Sequence, residues 1–312
     1  INRGKIRVAA MSGKNNLLKE LKRSKQAGKQ TEPDSVDGAI GDEIPEQFAN
    51  VYKDLFDSVN DTDGIHKLEQ KMENSRICAS DINHITPDVV KLAIRKLKAG
   101  KTDVSGEFSS DALLNAPDNL CNALANLFKA FFIHNDFTCD ILACAFMPLR
   151  KGVLKDDSKS DNYRAIAISS LILKVFDNVI LILYGQFLNT DWLQFGFKPK
   201  TGTTQCSWFV LEVVAYYKQQ KTSIKSALLD CSKAFDKCVF SVLFGKCLAR
   251  GIPGIIVRGL LTIYRRQRFW VRWSNGLTSK DFGIANGTRQ GSCLSPTPVS
   301  YTHLTLPTIL LV

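Results

Sequence analysis

The chain has 312 residues, 45% of them apolar, with 41 Lys and Arg against 30 Asp and Glu and a formal net charge of +11. Length and apolar content exclude a disordered tail and suggest about two domains, or one domain with subdomains. The positive excess favours a polyanionic partner, most simply nucleic acid.

That charge is unevenly placed. Residues 1–30 hold nine Lys and Arg against Glu20 alone, and residues 31–76 hold four against twelve acids. The first stretch predicts one basic helix around Leu17 to Lys25. Residues 31–43 (TEPDSVDGAIGDE) read as an acidic, flexible linker, so residues 1–43 are expected to be poorly ordered. The chain opens on Ile1 and not Met, as a piece of a longer reading frame does, and no signal segment precedes the first helix.

Ile44, Phe48, Val51, Leu55, Phe56 and Val59 fall at helical spacing, and Thr86 as cap with Pro87 behind it starts a helix that Gly100 closes. In KAGKTDVSGEF (98–108) the Gly-Lys-Thr lacks the earlier glycine of a phosphate loop, because Arg95 stands there; a polar turn is expected. Asp118 to His134 reads as the next helix, and Ile141 to Leu149 as extended chain. Arg150, Lys151, Lys155, Asp156, Asp157 and Asp161 then form a solvated charged loop.

Ala165 to Tyr184 is the longest apolar run. Lys174, Asp177 and Asn178 interrupt it, which predicts a buried helix and no membrane span. After the turn-rich QFGFKPKTGTT come a helix from Gln205 to Lys218, a buried strand ending at Leu229, helices over Val239–Arg250 and Gly254–Arg266, and a hairpin from Arg268 to Ile284 around Asn275-Gly276. The nine cysteines include no Cys-x-x-Cys pair and suit a reducing compartment. His134, Cys139 and Cys144 match no zinc spacing.

Asp230, in ALLDCSKAFDKC, admits two readings: a cation ligand at a strand's end or a helix cap. Seven segments in order resemble the reverse transcriptase of non-long-terminal-repeat (non-LTR) retrotransposons, an RNA-directed DNA polymerase. They run from IPEQFANVYKDLF through ITPDVVKLAIRKLKAGK, FMPLRKG, DNYRAIAISSLILKVFD, QFGFKPKTGTT and ALLDCSKAFDKC to GTRQGSCLSP, over residues 44–296. The resemblance implies an α+β right-hand polymerase with fingers and partial palm: a helical region over 44–150 leading into the fingers, and fingers and incomplete palm over 151–296. The ending PVSYTHLTLPTILLV looks like translated sequencing-adapter DNA, so 297–312 is expected to be a non-native tail.

It also implies partners and site residues: RNA template, DNA primer, deoxynucleoside triphosphates and two Mg²⁺ ions, inside the cell in nucleus or cytoplasm and with no membrane. Nucleotide transfer of this kind uses two cations held by carboxylates about 4 Å apart. Asp230 would be the metal ligand and catalytic residue. Phe235 would exclude a 2′-hydroxyl, Arg164 would grip the triphosphate with its forked cation, and Lys151 is a second basic candidate. Gln290 and Gly291 would face nucleotide and template, an ordinary glycine turn being the alternative. Asp236 belongs to the motif with capping as its plain role. Family members usually carry proline where Ala165 stands. A second strand with adjacent aspartates does not appear, since Asp281 is the one acid after Asp236; an inactive polymerase chain is expected. A non-catalytic nucleic-acid-binding module and a group II intron maturase-like reverse transcriptase remain as alternatives.

Overall fold

The structure, a computed structural model, describes residues 33–74, 79–152, 155–188, 194–198, 200–225, 233–292 and 294. The basic helix expected near Leu17, the strand ending at Leu229 with Asp230, and the tail over 297–312 lie outside these residues.

Residues 33–43 are not a loose linker. Ser35–Val36 (β1) and Ala39–Ile40 (β2) pair antiparallel, with Asp37 and Gly38 at φ +49° and +88° making the tight turn. Val36 is fully buried, and Asp37 ties the hairpin to the loop that joins two strands of the main sheet, through Asp37 N–H to Ser158 O at 2.8 Å and Ser160 N–H to Asp37 Oδ1 at 3.2 Å. One buried valine and these long-range bonds outweigh the polar composition that suggested a linker.

Helix α1 (Ile44–Phe56) buries Ile44, Phe48, Ala49, Tyr52 and Phe56. Tyr52 takes the inward position, while Val51 and Leu55 are half-buried. Helix α2 (Thr62–Asn74) follows, then α3 (Pro87–Arg95), where Thr86 Oγ1 accepts from Val89 N–H at 3.4 Å. α3 stops well before Gly100. That glycine, at φ +67°, belongs instead to a turn whose N–H donates to the Asp111 carboxylate at 3.0 Å. Short α4 (Ser110–Leu114), long α5 (Asp118–His134) and one-turn α6 (Cys139–Leu142) complete the first half.

The main sheet has the order β4-β3-β5, with central β3 (Ala143–Arg150) antiparallel to β4 (Tyr163–Ser169) and parallel to β5 (Arg268–Val271). Ala165 to Tyr184 is therefore not one helix. Alternating burial over Ala165–Ser169 makes it strand, and Ser170, whose Oγ accepts from Leu173 N–H at 3.1 Å, opens α7 (Leu171–Tyr184). α7 packs on α3, with Asn178 Nδ2 donating to Ala93 O at 3.2 Å.

Phe146 on β3 stacks between Phe56 of α1 and Phe269 of β5, at 5.3 and 4.6 Å between ring centroids. A second aromatic cluster joins Phe128, Phe131 and Phe132 of α5 to Phe137 and to Phe176 of α7. Helices α9 (Phe240–Ala249) and α10 (Gly254–Arg266) pack together, and α10 approaches α5 so closely that Gly259 lies against the Phe132 ring. After β5 the chain reverses at a 3₁₀ turn over Ser274–Gly276, with antiparallel bridges Arg272 to Thr278 and Phe269 to Phe282, which is the expected hairpin. Helix α8 (Thr203–Gln219) stands apart: none of its 17 residues is buried, and Trp208 and Leu211 are 63% and 65% exposed.

Candidate functional site

The segment around Phe235 is a turn. Lys233 takes φ +57°, and the Asp236 and Lys237 N–H groups both donate to Lys233 O at 3.0 and 3.1 Å. The half-buried Phe235 ring meets Phe197 edge-on, with centroids 6.0 Å apart, so the QFGFKP segment touches the turn.

The loop from Asn286 to Ser292 is stitched to this turn by backbone bonds. Gly287 N–H donates to Cys238 O at 2.8 Å, Thr288 N–H to Phe235 O at 2.7 Å, and Asn286 Nδ2 to Asp236 O at 2.7 Å. Asn286 N–H also donates to Phe56 O at 2.8 Å, anchoring the loop to the end of α1. Gly287 is required here: at φ +88° a Cβ would stand 2.4 Å from the Phe56 ring and 2.6 Å from Asp236 O.

On its other side the loop lies along β4. Ala167 N–H donates to Gln290 O at 2.8 Å. Gly291 takes φ +122°, and a Cβ would fall 2.8 Å from Ala167 O and 3.7 Å from Ile166 Cγ2. Arg164, two residues before Ile166, is exposed on the same face of β4, opposite Leu149 of β3. Gln290 is half-buried and Gly291 exposed.

Lys151, just past β3, donates from Nζ to Asp161 O at 2.6 Å and from its backbone N–H to Asn162 O at 2.8 Å. Desolvation lowers its pKa, with Asp161 acting against that and Lys155 and Lys233 with it. Lys233 pairs with Asp161 at 3.6 Å. Burial pushes the Asp236 carboxyl up to about 6, and Lys233 and Lys151 hold it from rising further. Two cations and one reluctant carboxylate thus share one electrostatic neighbourhood.

The fold brings Phe235, Gln290 and Gly291 together, with Lys151 coupled through Asp236 and Arg164 on the adjoining strand face. Asp230 lies outside the described residues. Two residues of this assembly went unassigned in the sequence: Arg289 and Asp177, each 1% exposed. Arg289 Nη2 donates to the Asp177 carboxylate at 3.1 and 3.3 Å, and Ser292 Oγ donates to Asp177 Oδ2 at 2.5 Å. Burial pushes the Asp177 carboxyl up while Arg289 and Ser292 pull it down. A guanidinium keeps its proton in proteins, and Arg289 and Ser292 both donate to the Asp177 oxygens, the arrangement a carboxylate accepts. The signal for it was an aspartate in the middle of an apolar helix, LILKVFDNVILILY.

Both glycines, at positive φ, let the loop lie close against other segments of the same chain, the turn at Asp236 and strand β4. Residues 153–305 match the family of reverse transcriptases, the RNA-dependent DNA polymerases. The reverse-transcriptase match spans just under half of the chain and implies the palm and fingers fold, with which the mixed helices and sheet agree. It takes in Arg164, Asp177, Asp230, Phe235 and the whole 286–292 loop, and leaves Lys151 two residues outside. It also runs to residue 305, nine residues into the stretch read above as a non-native tail. The family's substrates are RNA template, primer and deoxynucleoside triphosphates, and its members use divalent metal ions.

Proposed function

We propose that this chain carries the nucleotide-binding face of a non-LTR retrotransposon reverse transcriptase, which acts inside the cell, in nucleus or cytoplasm, to copy RNA into DNA from a primer. The observation that carries the reading is the pair of backbone bonds Thr288 N–H to Phe235 O and Ala167 N–H to Gln290 O. They draw three of the seven quoted segments to one place. In this reading Phe235 discriminates against a 2′-hydroxyl, Gln290 and Gly291 line the nucleotide and template, and Arg164 and Lys151 attract the triphosphate. Residues 44–150 lead into the fingers and 151–296 form fingers and palm.

Magnesium would neutralise the triphosphate and activate the primer hydroxyl. Among the described residues no three His, Cys, Asp or Glu side chains converge as a metal site. The assignment of Asp230 as the metal ligand and catalytic residue therefore rests on the resemblance.

The test is binding of an RNA template annealed to a DNA primer, with a deoxynucleoside triphosphate and its ribonucleoside counterpart as competing ligands. Preference for the deoxy form that disappears in Phe235→Ala is expected. Template binding with no nucleotide preference in either chain would instead favour a non-catalytic nucleic-acid-binding module.

A further inference from the structure

We propose that Asp177, together with Ser292, is a positioning residue that holds Arg289 and through it sets the backbone of Gln290 and Gly291 on β4. The proposal rests on the reading of that loop as the nucleotide-facing element. One carboxylate grips the residues on both sides of the dipeptide, Arg289 before it at 3.1 and 3.3 Å and Ser292 after it at 2.5 Å. Ser292 Oγ in turn accepts from Leu294 N–H at 3.2 Å. Between the two grips, Gln290 O accepts from Ala167 N–H at 2.8 Å and Gly291 leaves no room for a Cβ beside Ala167 O.

Core packing alone gives a weak reason for such a pair. Taking two ions out of water is costly, and apolar residues of similar volume often serve as well or better. The arginine is not even fully satisfied: its guanidinium lies over the Tyr264 ring at 5.7 Å, and Nε and Nη1 make no hydrogen bond among the described residues. What the carboxylate does that a leucine cannot is fix two points of one loop relative to a rigid helix. α7 carries that carboxylate and packs on α3, so the loop is referenced to the body of the fold.

The full chain tests this in three forms: Asp177→Asn, the paired Asp177→Leu with Arg289→Met, and Ser292→Ala. The paired variant removes both charges while filling the space, so it folds even where Asp177→Asn, which strands a buried guanidinium, does not. Three quantities are read on each: hydrogen exchange at the Ala167 amide, affinity for a template–primer duplex, and affinity of that complex for a deoxynucleoside triphosphate with Mg²⁺.

In the paired variant, Ala167 exchange is expected to quicken by about tenfold or more. Nucleotide affinity falls about tenfold, and duplex affinity stays within about twofold because the buried Arg289 is no exposed cation that could neutralise a phosphate. Ser292→Ala shows the same pattern more weakly. Unchanged Ala167 protection or unchanged nucleotide affinity in the paired variant overturns the proposal, as does a paired variant that fails to fold, since the pair is then part of the core. A native chain that binds duplex but no nucleotide overturns the assignment of the loop, and the positioning role with it. The Ala167 exchange still reports separately whether the tether exists.

Discussion

Asp236 is the residue whose chemistry gives the clearest pH test. Its folded pKa, about 6, lies above the ordinary 3.8 because burial disfavours the carboxylate. Below both values the group is protonated whether the chain is folded or not. Between them the folded state holds a proton that the unfolded state releases, so stability falls as pH rises through this window and is constantly lower above it. Asp236→Asn removes the penalty, and thermal melts at pH 7.5 should show it more stable than the native chain by about 1–3 kcal/mol, with little difference near pH 3.5. An equal offset at both pH values would sink this. At Gly287, Ala substitution forces a Cβ into the Phe56 ring and Asp236 O at positive φ, and a loss of about 2–4 kcal/mol in denaturant titration is expected. Gly283→Ala, with nothing within 4 Å and no positive φ, is the matched control and should be close to neutral.

Elements whose logic is local were readable in advance, as was the extended chain of β3, while two others decided by pairing were not. The Thr86-Pro87 start of α3, the bounds of α5 and α10, and the Asn275-Gly276 reversal follow from caps, apolar period and turn chemistry within a few residues. Thr86→Ala should accordingly cost about 1 kcal/mol. The β4–α7 boundary was misread because Ala-Ile-Ala-Ile is apolar at every position. Only the ladder to β3 and the burial alternation distinguish it from the helix that follows. The 33–43 hairpin was missed for the same reason, its order coming from Ser158 and Ser160 more than a hundred residues away. At the site, Gln290 and Gly291 were visible as a motif, whereas the loop residue Arg289 acquires its meaning from an aspartate on helix α7. The sheet itself hangs on Phe146, held between α1 and β5, and Phe146→Ala should lower stability by about 3–5 kcal/mol, read from the shift in urea midpoint.

For the whole molecule, charge and composition point in different directions for binding and for catalysis. With +11 overall and nine Lys and Arg in the first thirty residues, RNA binding should weaken steeply between about 50 and 200 mM salt as phosphate neutralisation releases counterions. Primer extension asks for more. A Mg²⁺ that keeps several waters must be fixed by more than one protein oxygen to align primer and triphosphate. After Asp236 these 312 residues offer Asp281 alone, on the surface beside β5, where it is paired with Arg268 at 2.7 Å. The polypeptide should therefore bind template and primer yet add no nucleotide in Mg²⁺ or Mn²⁺. Its helix α8, with Trp208, Val210, Leu211, Val214 and Tyr216 all exposed, should make it prone to association at high concentration. The deciding assay supplies purified chain with primer, RNA template and deoxynucleotides, beside the Asp230→Ala form. Extension in the first that is lost in the second would mean that the chain assembles a working metal site from carboxylates other than those expected, and the prediction of inactivity would fall.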